Sequence, residues 1–140
     1  LVKRNIEVVR LFESAQWVSI NRHELQQVLI NLIVNAVQAM PDGGRLTLST
    51  SDWLVDGACR GACIAVKDSG GGIDPDDIAR IFNPFFTTKK NEGTGLGLSI
   101  SHSLIKRYGG NITVDSTLGQ GSEFVVWLLT EPAYSGDGAH

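Results

Sequence analysis

The sequence predicts an α/β (α+β) sandwich of two layers, in which helices cover one face of a mixed, mostly antiparallel sheet. Strand-like runs are joined by a polar loop around Asp56-Gly57 and by a turn at residues 119–121, and hairpins of this kind make antiparallel neighbours. Two longer stretches place apolar residues three and four positions apart, which is the spacing of one helix face. Helices and sheets each have an apolar face to bury, so packing the helices on one side of the sheet satisfies both.

The N-terminal third of the chain predicts two short strands and a long helix. Residues 5–12 and 17–20 are rich in β-branched or aromatic residues, which favours strands. Asn21 and Glu24 have the spacing of a capping box, so we expect a helix to begin there and to end before Pro41. Its predicted apolar face consists of Leu25, Leu29, Leu32, Ala36 and Ala39.

The rest of the chain predicts further strands and two helices. The predicted elements are a strand through residues 46–49, a strand at 62–67, a short helix from Asp74-Pro75 through Arg80, a helix at about 97–108, and strands at 111–116 and 123–129. Residues 83–95 have no clear periodicity and predict a mobile loop. The small polar residues from 131 onward predict a tail or linker, so we assign residues 1–130 to one domain.

Composition excludes several classes of protein. A net charge of −3 over 140 residues argues against a nucleic-acid-binding protein, which normally has a basic face. No apolar run reaches the roughly 18 residues that suggest a membrane span. The domain is expected to be cytoplasmic and to make no contact with a membrane. Cys59 and Cys63 have no further ligand pair at zinc-site spacing and are expected to be reduced thiols. The chain starts at Leu1 without a signal-peptide pattern, which suggests a fragment of a longer protein.

A glycine-rich loop opens the last predicted helix. Residues 93–98 read Gly-Thr-Gly-Leu-Gly-Leu, and such glycines reduce stability because glycine loses the most backbone freedom on folding. They are expected where backbone closely approaches a ligand, usually a phosphate held by free N–H groups at a helix N-terminus. Many glycine-rich loops bind nothing, so the interpretation depends on the motifs that precede this one.

Three amides follow one stripe of the first predicted helix. Asn31, Asn35 and Gln38 lie at positions i, i+4 and i+7, opposite the predicted apolar face. A neutral carbonyl oxygen suits Mg²⁺, which keeps most of its waters and bridges substrate phosphates. A simple exposed polar face is the alternative for this helix taken alone.

An aspartate and three glycines follow the strand predicted at residues 62–67. The carboxylate of Asp68 can accept a hydrogen bond from an exocyclic amine, while glycines such as Gly70 and Gly72 let a flat ring lie close to backbone. An ordinary turn is the alternative, because Asp and Gly are common turn residues.

Bulky residues precede the predicted mobile loop. Phe82, Pro84 and Phe85 either anchor the base of the loop or pack at the edge of the core, and in both cases the loop resembles a lid. Lys89 and Lys90 are either solvated or placed to meet a terminal phosphate.

In this order, the motifs resemble those of the catalytic, ATP-binding domain of bacterial sensor histidine kinases, within the wider family of gyrase, heat-shock and mismatch-repair ATPases. The resemblance covers about residues 20–129 and implies a Bergerat-type ATP-binding fold. The matching segments are the N box at 31–36, the G1 box at 68–72, the F box at 82–85, the G2 box at 93–97 and a final Gly-Gln-Gly-Ser at 119–122. Residues 38–44 are similar to kinases of the nitrogen-regulation type.

The resemblance implies a role for each matched position. Asn35 would bind the Mg²⁺ that bridges the phosphates, supported by Asn31, and Asp68 would bond the adenine amino group, with Ser122 near it through water. The implied catalytic residues are Asn31, Asn35, Gln38 and Lys89. The implied nucleotide-binding residues are Asp68, Gly70, Gly72, Ile73, Phe82, Phe85, Thr88, Gly93, Thr94, Gly95, Leu96, Gly97, Leu98 and Ser122, and residues from about 82 to 94 would form the ATP lid.

The implied activity is transfer of the γ-phosphoryl group of ATP, bound with Mg²⁺, to a histidine. ATP-hydrolysing relatives and related serine kinases resemble one another in having a glutamate where this chain has Asn31, which cannot act as a base. A neutral imidazole needs less activation, so Asn31 favours a histidine kinase. The alternatives are a hydrolytic ATPase or serine kinase of the same family and a non-catalytic nucleotide-binding interaction module.

The implied partners are a histidine-bearing dimerisation domain of the same kinase and a downstream response regulator. His23, His102 and His140 lack the acidic neighbour and helical-hairpin context of an acceptor histidine, and are interpreted as surface or packing residues. The chain alone is therefore expected to be a monomer that binds ATP without phosphorylating itself.

Overall fold

A computed structural model of the protein describes residues 6–12, 18–84 and 97–130. In chain order, its elements are β1 (Ile6–Phe12), α1 (Arg22–Gln38), β2 (Gly44–Val55), β3 (Ala58–Asp68), α2 (Pro75–Ile78), α3 (Gly97–Arg107), β4 (Asn111–Thr117) and β5 (Gly121–Leu129). Most of the predicted mobile loop and the predicted tail lie outside the described residues. No helix within these ranges has the length and apolar character needed to cross a lipid bilayer.

The described strands form one five-stranded sheet in the order β1-β2-β3-β5-β4. β1 runs parallel to β2, while the β2–β3, β3–β5 and β5–β4 pairs are antiparallel. A parallel neighbour requires a long connection, and here α1 lies between β1 and β2 in the chain. The mixed, mostly antiparallel sheet is therefore confirmed.

The core lies between the helices and one face of the sheet. α1 contributes Val28, Leu32 and Ala36, and α3 contributes Ile105. Val28 takes the buried position that the sequence assigned to Leu29, which is only half-buried. Because successive strand residues point to opposite faces, the strands contribute residues of even number. These include Leu46, Val66, Ile112, Phe124, Val126 and Leu128. The two-layer sandwich with helices on one face is thus confirmed.

α1 begins at its predicted cap. The side-chain Oδ1 of Asn21 accepts hydrogen bonds from the N–H groups of His23 at 2.9 Å and Glu24 at 3.2 Å. The Glu24 carboxylate reaches α3's end, where it accepts a hydrogen bond from the Tyr108 hydroxyl. This bond raises the pKa of Tyr108, because it stabilises the protonated phenol and is lost when the phenol ionises.

The β2–β3 hairpin is tighter than the sequence indicated. Asp56 and Gly57 are its two central residues, with φ of 52° and 80°. A two-residue turn with two positive φ angles matches the right-handed twist of paired strands. β3 therefore begins at Ala58, and the polar loop predicted between the strands is too long. Asp52 and Arg60 are exposed strand residues, and their polarity is what made the segment resemble a loop.

The strand predicted at residues 17–20 is wrong in its described part. Residues 18–20 form no strand, although the N–H of Ser19 donates to the Leu129 carbonyl at 2.9 Å. α1 starts at Arg22 and uses Asn21 as its cap, so the β-branched segment before the cap is too short to form a strand. The bounds of α2, α3, β4 and β5 agree with the predicted bounds to within about two residues.

The sheet face opposite the helices carries two tryptophans. Trp53 and Trp127 pack edge-to-face with ring centroids 5.5 Å apart, and Trp127 is paired with Cys63 in the β3–β5 ladder. Burial raises the pKa of the Cys63 thiol, against a smaller opposing effect of its hydrogen bond with Ser51. Cys59 is exposed. In the described parts of the chain, no three His, Cys, Asp or Glu side chains are grouped to hold a metal ion.

Replacing Asn21 with Ala removes the acceptor for two N–H groups at the start of α1. We expect the free energy of unfolding to fall by about 1 kcal/mol, as is typical of a lost N-cap. Urea denaturation followed by circular dichroism measures the change. Gln26→Ala is the control, since this exposed α1 residue should change stability by less than about 0.5 kcal/mol. Equal effects of the two substitutions would contradict the assigned cap.

Candidate functional site

The ends of β3 and β5 bring a carboxylate and a hydroxyl together. Asp68, the last residue of β3, is 3% exposed, and Ser122 stands opposite it in β5 at 6%. The Oδ1 atom of Asp68 accepts hydrogen bonds from the N–H groups of Gly70 at 2.9 Å and Ser122 at 3.3 Å. These donors offset the cost of burying a carboxylate. The structure thus brings together two residues that the sequence selected 54 positions apart.

Asp68 also organises the turn that follows it. The bond from the Gly70 N–H is that of an aspartate turn, so the simpler interpretation of Asp68 holds in part. That turn explains neither the burial of the carboxylate nor its bond to β5. A Cβ atom at Gly121 would lie 2.1 Å from the Asp68 carbonyl oxygen, so β5 approaches β3 as closely as glycine permits.

Two of the three G1 glycines pack against the protein's own backbone. A Cβ atom at Gly70 would lie 2.2 Å from the carbonyl oxygen of Ala39, at the end of α1. Gly72 has a φ of 78°, and its Cβ would lie 2.3 Å from the Thr117 carbonyl oxygen. The sequence interpretation, in which these glycines admit a flat ligand, is therefore incomplete, because the fold itself requires both of them.

Ser116 of β4 is not among the predicted site residues, yet it connects them. Its Oγ accepts a hydrogen bond from the Ile73 N–H at 2.8 Å and lies 2.8 Å from the Oγ of Ser122. It also donates to the Gly121 carbonyl at 3.1 Å. The sequence could have indicated Ser116, because side chains alternate between the two faces of β4 and Ser116 shares a face with the buried Ile112.

A cleft of about 230 Å³ adjoins the same strand ends. Lys67, Asp115 and Glu123 line it and stand side by side in the ladder, on the face turned away from the helices. Asp68 and Ser122 also border it. The cleft is therefore distinct from the space between α1 and α3.

Asn31 ties α1 to the start of α3. Its Oδ1 accepts a hydrogen bond from Gln27 Nε2 at 3.2 Å. Its Nδ2 donates to the Oγ of Ser101 at 3.1 Å and to the Gly97 carbonyl at 3.5 Å. The helices run antiparallel, since the contact of Glu24 with Tyr108 lies at the opposite end of the pair. The amide stripe therefore faces the N-terminus of α3.

Asn35 and Gln38 lie one and two turns further along the same stripe, and both are half-buried. This burial disfavours the alternative of a simple exposed polar face. At the N-terminus of α3, the first N–H groups lack partners within the helix and carry partial positive charge. The side-chain oxygen of Asn35 is a neutral carbonyl oxygen, a ligand type that suits Mg²⁺. The arrangement suits a phosphate bound with its metal ion.

Two aromatic contacts hold Phe82 of the F box. Its ring stacks on His102 with centroids 4.6 Å apart and planes at 23°, and it meets Phe124 edge-on at 6.3 Å. Burial lowers the pKa of His102, with a smaller effect of Lys106 in the same direction and an opposing hydrogen bond with Asn111. His102 is thus a packing residue, as predicted, and Phe82 packs at the edge of the core.

The other predicted site residues divide into two groups. Ile73 and Leu98 are half-buried and pack against the core. Those outside the described residues are Phe85, Thr88, Lys89, Gly93, Thr94, Gly95 and Leu96.

The chain is similar to proteins of one family along most of its length. The sequence profile described as histidine kinase-, DNA gyrase B- and HSP90-like ATPase matches residues 20–132. The sensor histidine kinase ZraS of Escherichia coli (strain K12) is 47% identical over 104 residues, which are 74% of this chain. The matched region is 21% of ZraS, so the chain spans only about a fifth of that relative.

Solved structures share the fold. The catalytic domain of the histidine kinase ThkA, in a nucleotide-free form, has a TM-score of 0.78 at 32% identity, covering 91% of this chain and 82% of that one. Full-length ShkA in complex with AMPPNP has a TM-score of 0.73 at 35% identity, covering 91% of this chain and 27% of that one.

Replacing Gly70 with Ala should destabilise the protein without any ligand present. The new Cβ would meet the Ala39 carbonyl, so we expect the free energy of unfolding to fall by about 1–3 kcal/mol. Gly71→Ala is the matched control, since a Cβ there has no atom within 4 Å and should cost less than about 0.5 kcal/mol. Chemical denaturation measures both. A loss no larger at Gly70 than at Gly71 would show that the close contact is unimportant.

The lowered pKa of His102 predicts a loss of stability in acid. Its folded pKa lies below the ordinary value of about 6.5, so the unfolded state binds more protons as the pH falls below that value. The contribution of neutral His102 to stability is fully present above the pKa of the unfolded state, and it is lost as the pH falls through the pKa of the folded state. Denaturation between about pH 5 and pH 8 should show a slope that His102→Gln reduces. His23→Gln is the control, and an unchanged slope in His102→Gln would exclude this residue as the source.

Proposed function

This chain belongs to the family of histidine kinase-, DNA gyrase B- and HSP90-like ATPases, and we propose that it binds Mg-ATP and donates the γ-phosphoryl group to a histidine on a separate dimerisation domain of a two-component sensor kinase. Its similarity to sensor histidine kinases supports an ATP-binding kinase domain. The observation that carries the proposal is the buried Asp68 carboxylate, held beside Ser122 where the strands end.

Asp68 accepts a hydrogen bond from the 6-amino group of adenine. An ionised carboxylate has acceptor sites on both oxygens and no proton to donate. A hydrogen bond to a charged group contributes roughly 1.5–3 kcal/mol, or about 10- to 150-fold in affinity. Ile73, Phe82 and Leu98 supply partly exposed apolar surface that suits the faces of a purine ring.

The triphosphate lies between α1 and the N-terminus of α3. The first N–H groups of α3 and the helix dipole attract anions there, and the glycines of the G2 box at residues 93–97 let the backbone approach them. Asn31 supports this role, because its bonds to Ser101 and Gly97 hold the start of α3 in place. Lys89 and Thr88 act on the terminal phosphate, and Phe85 acts with Phe82 at the base of the lid.

Asn35 holds the metal ion, and Gln38 acts beside it on the same stripe. When bound, Mg²⁺ would neutralise the negative charge that develops on the phosphates during transfer. The protein's own contribution is positioning, because phosphoryl transfer depends on alignment and charge stabilisation more than on acid–base chemistry.

Asn31 supports a histidine acceptor over water. Its side-chain oxygen accepts from Gln27 and its nitrogen donates to α3, so the amide is used in packing, and an amide has no basic atom to activate water. The acceptor therefore lies on another domain of the parent protein, which also serves a response regulator. Residues 1–130 are the catalytic domain, residues 131–140 are a tail or linker, and the domain itself is a cytoplasmic monomer.

Calorimetry with ATP, with and without Mg²⁺, tests the binding step. Asp68→Asn should weaken ATP binding about 10-fold or more, because an amide can present its nitrogen where the carboxylate accepts a bond. Asn35→Ala should instead remove most of the dependence on Mg²⁺. Gln26→Ala, exposed on α1, should bind as the unaltered chain does. Absence of ATP binding by the unaltered chain would contradict the proposal.

Transfer is tested by adding a separate histidine-bearing dimerisation domain of a related sensor kinase together with γ-labelled ATP. We expect acid-labile label on that domain and no stable label on this chain. Stable label on this chain alone would contradict an acceptor in trans. Release of inorganic phosphate at the same rate with and without the acceptor would favour the ATPase alternative.

A further inference from the structure

The hydroxyl of Ser116 has as many partners as it can bond. A hydroxyl donates one hydrogen bond and accepts two. Ser116 accepts from the Ile73 N–H, donates to the Gly121 carbonyl, and lies 2.8 Å from the Oγ of Ser122. Because Ser116 donates its one proton to the Gly121 carbonyl, it can only accept a hydrogen bond from Ser122. The proton between the two serines therefore belongs to Ser122.

The consequence falls on the hydroxyl of Ser122. Because that hydroxyl donates its proton to Ser116, its lone pairs can only accept hydrogen bonds from other groups. The neighbouring Asp68 carboxylate also only accepts, and the Ser122 N–H bonded to its Oδ1 keeps the two side chains together. Asp68 and Ser122 then offer only hydrogen-bond acceptors to a ligand, although a serine hydroxyl can ordinarily donate as well.

We propose that Ser116 is a specificity-determining positioning residue, which acts through Ser122 to favour a purine with an amino group at position 6 over one with an oxo group. The inference rests on the proposed function, since it assumes that Asp68 and Ser122 meet the edge of a purine base. A 6-amino group donates to both acceptors, whereas a 6-oxo group presents lone pairs to them.

A bridging water preserves this preference. A water shared by Asp68 and Ser122 donates one proton to each, so its remaining capacity toward the base is as an acceptor. Such a water again suits an amino group and rejects an oxo group. Without Ser116, the Ser122 hydroxyl is free to donate, and a water or an oxo group can accept its proton. Loss of Ser116 therefore relaxes the choice of base and leaves the phosphate contacts unchanged.

The test compares ATP with inosine triphosphate, which has an oxo group at position 6 and a proton on N1, and with purine riboside triphosphate, which has only hydrogen at position 6. In the unaltered chain, ATP should bind most tightly. In Ser116→Ala, the ratio of inosine triphosphate to ATP dissociation constants should fall about 3- to 10-fold, the worth of one hydrogen bond. Binding of purine riboside triphosphate should change less than about 2-fold, because it lacks a group at position 6. Ser116→Thr keeps a hydroxyl and should keep the ratio of the unaltered chain. Ser51 is an exposed serine of β2, and Ser51→Ala should also leave the ratio unchanged.

A double mutant separates positioning through Ser122 from general support. In a Ser122→Ala background, adding Ser116→Ala should leave the ratio unchanged, because the proton donor is already absent. Equal weakening of all three nucleotides by Ser116→Ala would overturn the inference and leave the proposed function standing. If Ser116→Ala does not fold, an unchanged ratio in Ser122→Ala alone would overturn it equally. Failure of the unaltered chain to bind any of the three would overturn the proposed function and this inference together.

Discussion

The close approach of β5 to the end of β3 is the constraint on which the candidate site depends. Gly121 lies against the Asp68 carbonyl at a separation that excludes any Cβ, and the ladder pairs Asp68 with Ser122. At this separation the carboxylate accepts a hydrogen bond from the Ser122 N–H in addition to the one from the Gly70 N–H. A change that moved the strands apart would leave a buried charge short of donors, which costs more than the roughly 1–3 kcal/mol of a neutral group.

The second requirement is a fixed relation between α1 and α3. At one end Glu24 contacts Tyr108 and Arg107, but the ion pair to Arg107 is solvent-exposed and contributes little. At the other end Asn31 donates to Ser101, which is 2% exposed. The buried contact is the one that fixes the start of α3. Asn35, the proposed metal ligand, lies one turn further along α1 than Asn31. A single helix therefore positions both the proposed metal ligand and the start of α3.

Sequence alone predicted the layers, the sheet class and the helix cap, because each depends on local spacing or local hydrogen bonding. The Asn21 cap needs only the next three residues, and it was found. Prediction from sequence failed at residues 18–20, where the preference for a strand yielded to the start of α1. It also failed at Asp56-Gly57, where a tight turn resembled a longer loop. Ser116 was missed because its role depends on the Ile73 N–H, which lies 43 positions away on the segment after β3 and which no spacing rule brings to β4. For the same reason, the bond from Asn31 to Ser101, 70 positions away, could not be anticipated.

The packing of the glycines changes what their presence in a sequence can report. Gly70, Gly72 and Gly121 are each pressed against a backbone carbonyl of the folded chain, with no nucleotide involved. A homologue that had lost nucleotide binding would still need all three in order to fold. Gly70, Gly72 and Gly121 are therefore markers of architecture, and their retention in a degenerate relative says nothing about activity. Under the proposed function, the half-buried Asn35 is the more informative position when active and inactive family members are to be told apart.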